Sequence, residues 1–400
     1  MSYKIKFYFT IGIMLVFTTN IFSSKNTKPD EWVQKAIDRA EYQLLDAAKI
    51  YKSSKLNPRT FENGKIIYAG SNDWTCGFFP GSLWYMFELT KNEKIKTEAE
   101  YYTVLNDAVQ YRKNTHDLGF MLYCSYGNGL RLTGDTAYKK VLITGAKSLE
   151  TRFDPQVGLI KSWDSRKQWQ YPVIIDNMMN LEFLMEVSKM TGDKRLKEIC
   201  ISHADKTIKN HYRADNSCFH VVDYDSITGV ILHRQTAQGY ADNSSWARGQ
   251  AWGLYGFTMM YRETKNPKYL EQAQKIAAYI LNYPTLAKDK IPFWDYNAPN
   301  IPNEPRDASA AAITASALFE LSSYVKNHPE YFKTAETILK NLSSDEYFST
   351  KGENGFFILK HSTGNYPKKS EIDVPLDYAD YYYLEAIGRY MKIKKISYKK

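Results

Sequence analysis

KMTGDKRL, residues 189–196, follows an apolar run and precedes a charged one, and its pattern recurs along the chain. ELTKNEK from residue 88, RLTGDTAY from 131, RETKNPKYL from 262 and YVKNHPEYF from 324 occupy the same kind of place. Each closes one helical pattern with a polar or glycine turn and opens the next. The chain therefore reads as a succession of helical hairpins.

The flanking segments fall into two kinds. EWVQKAIDRAEYQLLDAAKIY, residues 31–51, sets Val33, Ile37, Ala40, Leu44, Ala48 and Tyr51 three or four apart, which predicts an amphipathic helix with a charged far face. Similar amphipathic helices are predicted near 94–112, 136–152, 194–210, 267–282 and 329–342. Between them lie segments that are apolar or small on most sides, near 79–90, 118–132, 177–190, 246–262, 308–325 and 379–392. Helices of the second kind belong inside and the amphipathic ones cover them. The predicted fold is all-α, an (α/α)6 barrel of six inner and six outer helices. Its short turns lie at one end, and the long connections 53–78, 153–176, 211–245 and 283–307 gather at the other, where loops have room for function.

The composition fits that reading. With 400 residues, 44% of them hydrophobic, the chain can bury one large core. Residues 1–24 carry Lys4 and Lys6, an apolar stretch from Phe7 to Phe17 and then small polar residues, the pattern of a secretory signal. A single catalytic domain over 25–400, a periplasmic location, no stable membrane partner and a monomer or weak dimer are expected. The net charge of +9 is scattered and forms no basic stripe of the kind nucleic-acid binding requires. Cys76, Cys124, Cys200 and Cys218 show neither C-x-x-C nor zinc spacing, and buried free thiols are expected.

The starts of the inner helices are NDWTCGFFPG, THDLGFMLY, IIDNMMN, DNSSWARGQAWG, PRDASAAA and PLDYADYYYLEA. They place Asp beside aromatics, amides or Arg, so that side chains distant in sequence converge on one mouth. Capping accounts for Asp117, Asp176 and Asp307 as well as chemistry does, since Asp is a preferred N-cap. A cap beside the positive end of a helix has a lowered pKa. Desolvation by Ile174 and Ile175, or a second carboxylate nearby, raises it instead. Trp74, Trp163 and Trp252 fall at or near the loop end in polar surroundings, as platforms for sugar rings. Arg248 and Trp252 are four apart on one helix face, a guanidinium beside an aromatic plane that suits a carboxylate-bearing ring. The long connection before them offers His220, Thr236 and Gln238 as hydroxyl or carboxylate partners. There is no G-x-S-x-G elbow, Walker loop, dinucleotide fingerprint or H-E-x-x-H, and the seven histidines lack ligand spacing. No metal or cofactor is implied, and carboxylate chemistry on a sugar-like ligand remains.

NDWTCGFFPGSLW, HDLGF, DNMMNL, ADNSSWARGQAWGLYG and DASAAAITASAL, in this order from about residue 30 to 393, together resemble the unsaturated glucuronyl hydrolases. That resemblance implies an (α/α)6 barrel that removes the 4,5-unsaturated uronic acid left by polysaccharide lyases at the non-reducing end of acidic oligosaccharides. It implies Asp176 as general acid and base, Asp117 as second essential carboxylate, and Trp74, Trp163, His220, Thr236, Gln238, Arg248 and Trp252 as the lining of the sugar pocket. Ser362, in HSTGNYPKKSE with Lys368 and Lys369, is placed to meet a sulfate on the leaving sugar. Two alternatives stay open: a hydrolase for unsaturated galacturonyl-rhamnose from pectin, and a periplasmic sugar-binding protein without catalysis. The leaving sugar is a hexosamine for glycosaminoglycan fragments and a sulfated rhamnose for ulvan.

Overall fold

A computed structural model describes residues 1–3 and 30–398; the expected signal over 1–24 lies almost wholly outside the described residues. The outer helices are α1 (Glu31–Tyr51), α3 (Glu93–Val104), α5 (Thr136–Glu150), α7 (Lys194–His211), α9 (Pro267–Leu281) and α11 (Pro329–Leu342). The inner helices are α2 (Phe78–Thr90), a π-helix (Gly119–Gly127) continuing into α4 (Asn128–Thr133), α6 (Asn177–Thr191), α8 (Ala247–Thr264), α10 (Ala308–Tyr324) and α12 (Asp377–Lys394). Each inner helix packs on the next, and α12 returns to α2, so the ring closes.

The recurring turn has a physical explanation. In four of the hairpins a Thr ends the inner helix, the next residue takes the left-handed conformation, and an Asn or Asp caps the outer helix. The left-handed residues are Lys91, Gly134, Gly192 and Lys265. Asn92, Asp135, Asp193 and Asn266 accept from the amide two residues on. Their own amides donate to the hydroxyls of Thr90, Thr133, Thr191 and Thr264 at 3.2–3.3 Å. Each cap contributes about 1 kcal/mol. The fifth turn lacks the Thr, and His328 caps α11 without a side-chain hydrogen bond.

Three expectations need correction. The helix predicted over 94–112 ends at Val104, followed by a 3-10 turn at Asp107–Tyr111. Buried Asn106 stops it by turning inward to donate to the Cys76 carbonyl at 2.8 Å. The helix predicted over 118–132 is π for nine residues. There the amide of Phe120 is taken by Asn180 Oδ1 of α6 at 3.0 Å, and a Cβ on Gly119 would lie 2.7 Å from the Asn180 Cα. Such a close helix crossing favours the wider turn. The long connections, read as loops, hold small antiparallel sheets. The largest pairs 171–174 with 221–224 and 221–224 with 231–235.

At the closed end the barrel interior is ionic as well as apolar. Arg262 pairs with Glu182, Glu263 and Glu320, while Arg389 pairs with Glu320 and Glu385. These charges sit on inner helices, and Lys189 adds a third cation by pairing with Glu263. No helix among the described residues is long and apolar enough to cross a membrane. The four cysteines are free and buried.

Candidate active site

Three segments are stitched together at the open end. His116 donates its amide to the Ser162 carbonyl at 3.0 Å, and Thr115 bridges Trp163. Ser162 donates its own amide to Pro172 O and accepts the Ile174 amide on its hydroxyl, both at 2.9 Å. Residues 115–117, 162–163 and 171–176 thereby bring Asp117 and Asp176 to the same place.

The two carboxylates have opposite surroundings. Asp176 precedes α6, but its backbone is already helical and its side chain makes no capping bond, so the capping explanation fails for it. Its side chain is buried beside Ile175, and Oδ2 has no hydrogen-bond partner. Burial pushes its pKa from 3.8 up to about 6; His116 and Arg248 oppose the rise and the Asp117 charge adds to it. Asp117 is held the other way. Burial acts against its charge, but His116, Thr115 and Arg112 outweigh it and lower its pKa. Thr115 donates to Oδ2 at 2.6 Å, and His116 Nε2 lies 3.1 Å from Oδ1. One site thus holds an ionised carboxylate and a carboxyl that exchanges its proton near pH 6, the separation acid–base work requires.

His220 faces Asp176. Its Nδ1 accepts the amides of Ala237 and Gln238 at 3.0 and 3.2 Å, which leaves the proton on Nε2. Nε2 has no hydrogen-bond partner and points at Asp176 Oδ2 across 3.7 Å. Burial depresses the ring's pKa to about 3, so it is a neutral donor. Trp246 packs against it at a tilt of 38°, with ring centroids 4.6 Å apart.

Arg248 is fully buried and largely committed. Nη1 donates to Asp307 Oδ2 at 2.8 Å and to Thr363 O at 2.6 Å, Nη2 donates to Gly364 O at 2.7 Å, and Nε alone lacks a partner. Asp307 does cap α10, accepting from Ser309 and Ala310. The expected Arg248–Trp252 pairing is corrected: the guanidinium lies over Trp246 at 4.4 Å and Tyr378 at 5.3 Å. Trp252 is not in polar surroundings but packs against Phe120 and Tyr382, with its Nε1 left unpartnered. Trp74 leans on Phe78, Phe120 and Tyr378, and Trp163 on Trp169. Thr236 and Gln238 serve the loop that holds His220. Thr236 Oγ1 accepts the Gly239 amide and Gln238 Nε2 donates to Gly364 O, tying that loop to the strand 362–365. Ser362, on the same strand, is buried with a free hydroxyl.

Six of the predicted residues carry a buried polar atom without a partner: Asp176 Oδ2, His220 Nε2, Arg248 Nε, Trp163 Nε1, Trp252 Nε1 and Ser362 Oγ. Leaving such groups unpaired costs about 1–3 kcal/mol each, and a polar ligand at Asp176 and His220, which face each other, would relieve that cost. Five of these six can donate, which suits a ligand rich in acceptors, such as an anionic sugar. No group of three or more His, Cys, Asp or Glu that could hold a metal occurs among the described residues. Sequence reasoning missed His116, Ser162, Trp246 and Tyr378. His116 was in view beside Asp117 in THDLGF, but nothing in its spacing distinguishes a carboxylate partner from a core histidine.

Comparison with known proteins agrees with this geometry. The model of Glycosyl Hydrolase Family 88 matches residues 49–391. An unsaturated glucuronyl hydrolase of Formosa agariphila is 50% identical over 321 residues, 80% of each chain. An unsaturated chondroitin disaccharide hydrolase of Streptococcus agalactiae is 32% identical over 90% of this chain and 92% of its own. The crystal structure of an unsaturated glucuronyl hydrolase specific for heparin superposes with a TM-score of 0.91 at 52% identity, covering 93% of this chain and all of its own.

Proposed function

The chain belongs to Glycosyl Hydrolase Family 88 and has unsaturated glucuronyl hydrolase activity on glycosaminoglycan-type oligosaccharides; we propose that Asp176 carries the reaction as both acid and base. The substrate's C4=C5 bond conjugates with the ring oxygen as a vinyl ether. Protonated Asp176 gives its proton to C4, and C5 takes on oxocarbenium character. The Asp176 carboxylate then removes a proton from water as its oxygen bonds to C5. The C5 hemiketal expels the ring oxygen to give a ketone. C1 is left as a hemiacetal, which collapses to an aldehyde and releases the leaving sugar. One group serving twice needs a pKa close to working pH. The buried, unpartnered carboxyl of Asp176 is the observation that carries this reading. Ionised Asp117 orients the sugar hydroxyls, and the donors of His220, Arg248 and the tryptophans take the uronate.

For the leaving sugar we propose a heparin-type hexosamine. The support is the 52% identity to a heparin-specific structure, against 32% for the chondroitin disaccharide hydrolase. The working protein is a monomer or weak dimer, a single domain over 25–400, exported to the periplasm after loss of residues 1–24. The experiment follows loss of the ultraviolet band of the unsaturated uronate with lyase digests of heparin, chondroitin, hyaluronan, ulvan and pectin. Fastest loss is expected on heparin fragments. Loss on pectin alone would replace the substrate, and no loss on any digest would overturn the activity. N-terminal sequencing of protein from a periplasmic fraction checks the export.

A further inference from the structure

His116 is 1% exposed, yet it is bound on both ring nitrogens to side chains of the site. Nε2 lies 3.1 Å from Asp117 Oδ1, and Nδ1 lies 3.2 Å from Ser162 Oγ. A carboxylate only accepts, so Nε2 carries a proton. Ser162 Oγ, which accepts the Ile174 amide, anchors the ring at Nδ1. The ring thus presents Nε2–H to Asp117 and is anchored at Nδ1 by a hydroxyl that also fixes the backbone leading to Asp176. The contacts run Ile174 amide, Ser162, His116, Asp117, and they span the two carboxylates from behind.

We propose that His116 is a positioning residue for the carboxylate pair: through a fixed Nε2–H it holds Asp117 in one orientation as the ionised acceptor, so that Asp176 remains the proton carrier. Both of its ring nitrogens are taken by protein groups, so it acts through Asp117. Its role rests on the hydrolase reading above and adds to that reading a reason why two neighbouring carboxylates divide their work. Thr115 donates to the other oxygen of Asp117, so without His116 the carboxylate keeps one anchor and can turn about it. Misplacement of a substrate-orienting group by about 1 Å costs roughly 10²-fold in rate.

The test pairs two variants with a spectrum. His116→Ala removes the donor; His116→Gln keeps an N–H near the position of Nε2 but cannot carry an imidazolium charge. On unsaturated heparin disaccharides, H116A is expected to lose roughly 10²-fold in kcat with a small change in KM, and H116Q to recover most of that loss. Equal loss in both variants, with melting temperatures near wild type, overturns the role of the Nε2–H donor. Full activity in H116A overturns the proposal outright. The ¹⁵N-histidine spectrum of the wild type at pH 8 is expected to show the resonance that disappears in H116Q as an Nε2–H tautomer. An Nδ1–H tautomer there overturns the proposal whatever the kinetics. A wild type that hydrolyses none of the digests overturns the functional reading and this role with it, whereas an active wild type beside an unimpaired H116A removes only His116.

Discussion

Replacing Asp176 by Asn separates what this residue does for chemistry from what it does to stability. The side chain is 6% exposed and its pKa rises from 3.8 to about 6 on folding. The folded state therefore holds a proton that the unfolded chain has released between those values. Stability from this group is fully present below about pH 4 and lost as pH rises through about 6. The difference corresponds to about 3 kcal/mol. Asn cannot ionise, so D176N escapes the loss: near pH 4 it should match the wild type, and above about pH 6 it should be more stable by up to about 3 kcal/mol. Its turnover should nevertheless fall by about 10²–10⁴-fold, because no other group replaces the proton donor. In the wild type, kcat/KM should decline as pH rises through about 6, where the acid loses its proton. The assay is thermal melting of both proteins from pH 4 to 8 beside turnover measured by ultraviolet absorbance. A melting difference that does not change with pH refutes the desolvated carboxyl, and an active D176N refutes its role as proton donor.

Arg248→Ala strands Asp307, fully buried and 2.8 Å from its partner, so melting should show a loss of about 3–5 kcal/mol; a stable variant with a purely kinetic defect would contradict this. Gly77→Ala would set a Cβ 2.1 Å from the Phe120 carbonyl oxygen and 2.5 Å from that of Met121. Since both neighbours are backbone, a destabilisation of at least about 1–3 kcal/mol should appear in the melting curve; unchanged melting would mean that α2 and the π-helix are further apart. All four thiols are buried, and burial raises the pKa of each. A disulfide reagent at pH 8 should label none until denaturant is added, and rapid labelling of the native protein would show an exposed cysteine.

The barrel was legible because its signals are local. Spacing of three and four, the contrast between apolar and amphipathic runs, and the Thr–Gly/Lys–Asn/Asp turns all act within a few residues, and apart from the early end of α3 and the π-helix each predicted helix stands where its pattern lies. What escaped depends on neighbours far along the chain. The π-helix exists because Asn180 reaches Phe120, sixty positions away. Arg262, Glu320 and Arg389 look like ordinary surface charges in sequence, yet they pair inside the ring. The site shows the same division. The helix starts indicated where Asp117 and Asp176 gather, but not that one caps nothing and is desolvated while the other is held by His116. Arg248 was expected beside Trp252, but its aromatic partners are Trp246 and Tyr378 of the last helix.

Closure of the ring by α12 also orders events during synthesis. Hairpins with neighbouring partners form quickly, since little loop entropy opposes them. The contact of α12 with α2 joins residues about 300 positions apart, as in the bond from Tyr85 to Glu385 at 2.8 Å, and such long-range closure is slow. Tyr378, which flanks both Arg248 and Trp74, arrives with that last helix. A nascent chain that has not yet added the helix Asp377–Lys394 can hold most of its hairpins and yet lack the Tyr378 side of the site. Competence for catalysis in this sense waits on the seating of the sixth inner helix, which brings Tyr378 against Arg248 and Trp74.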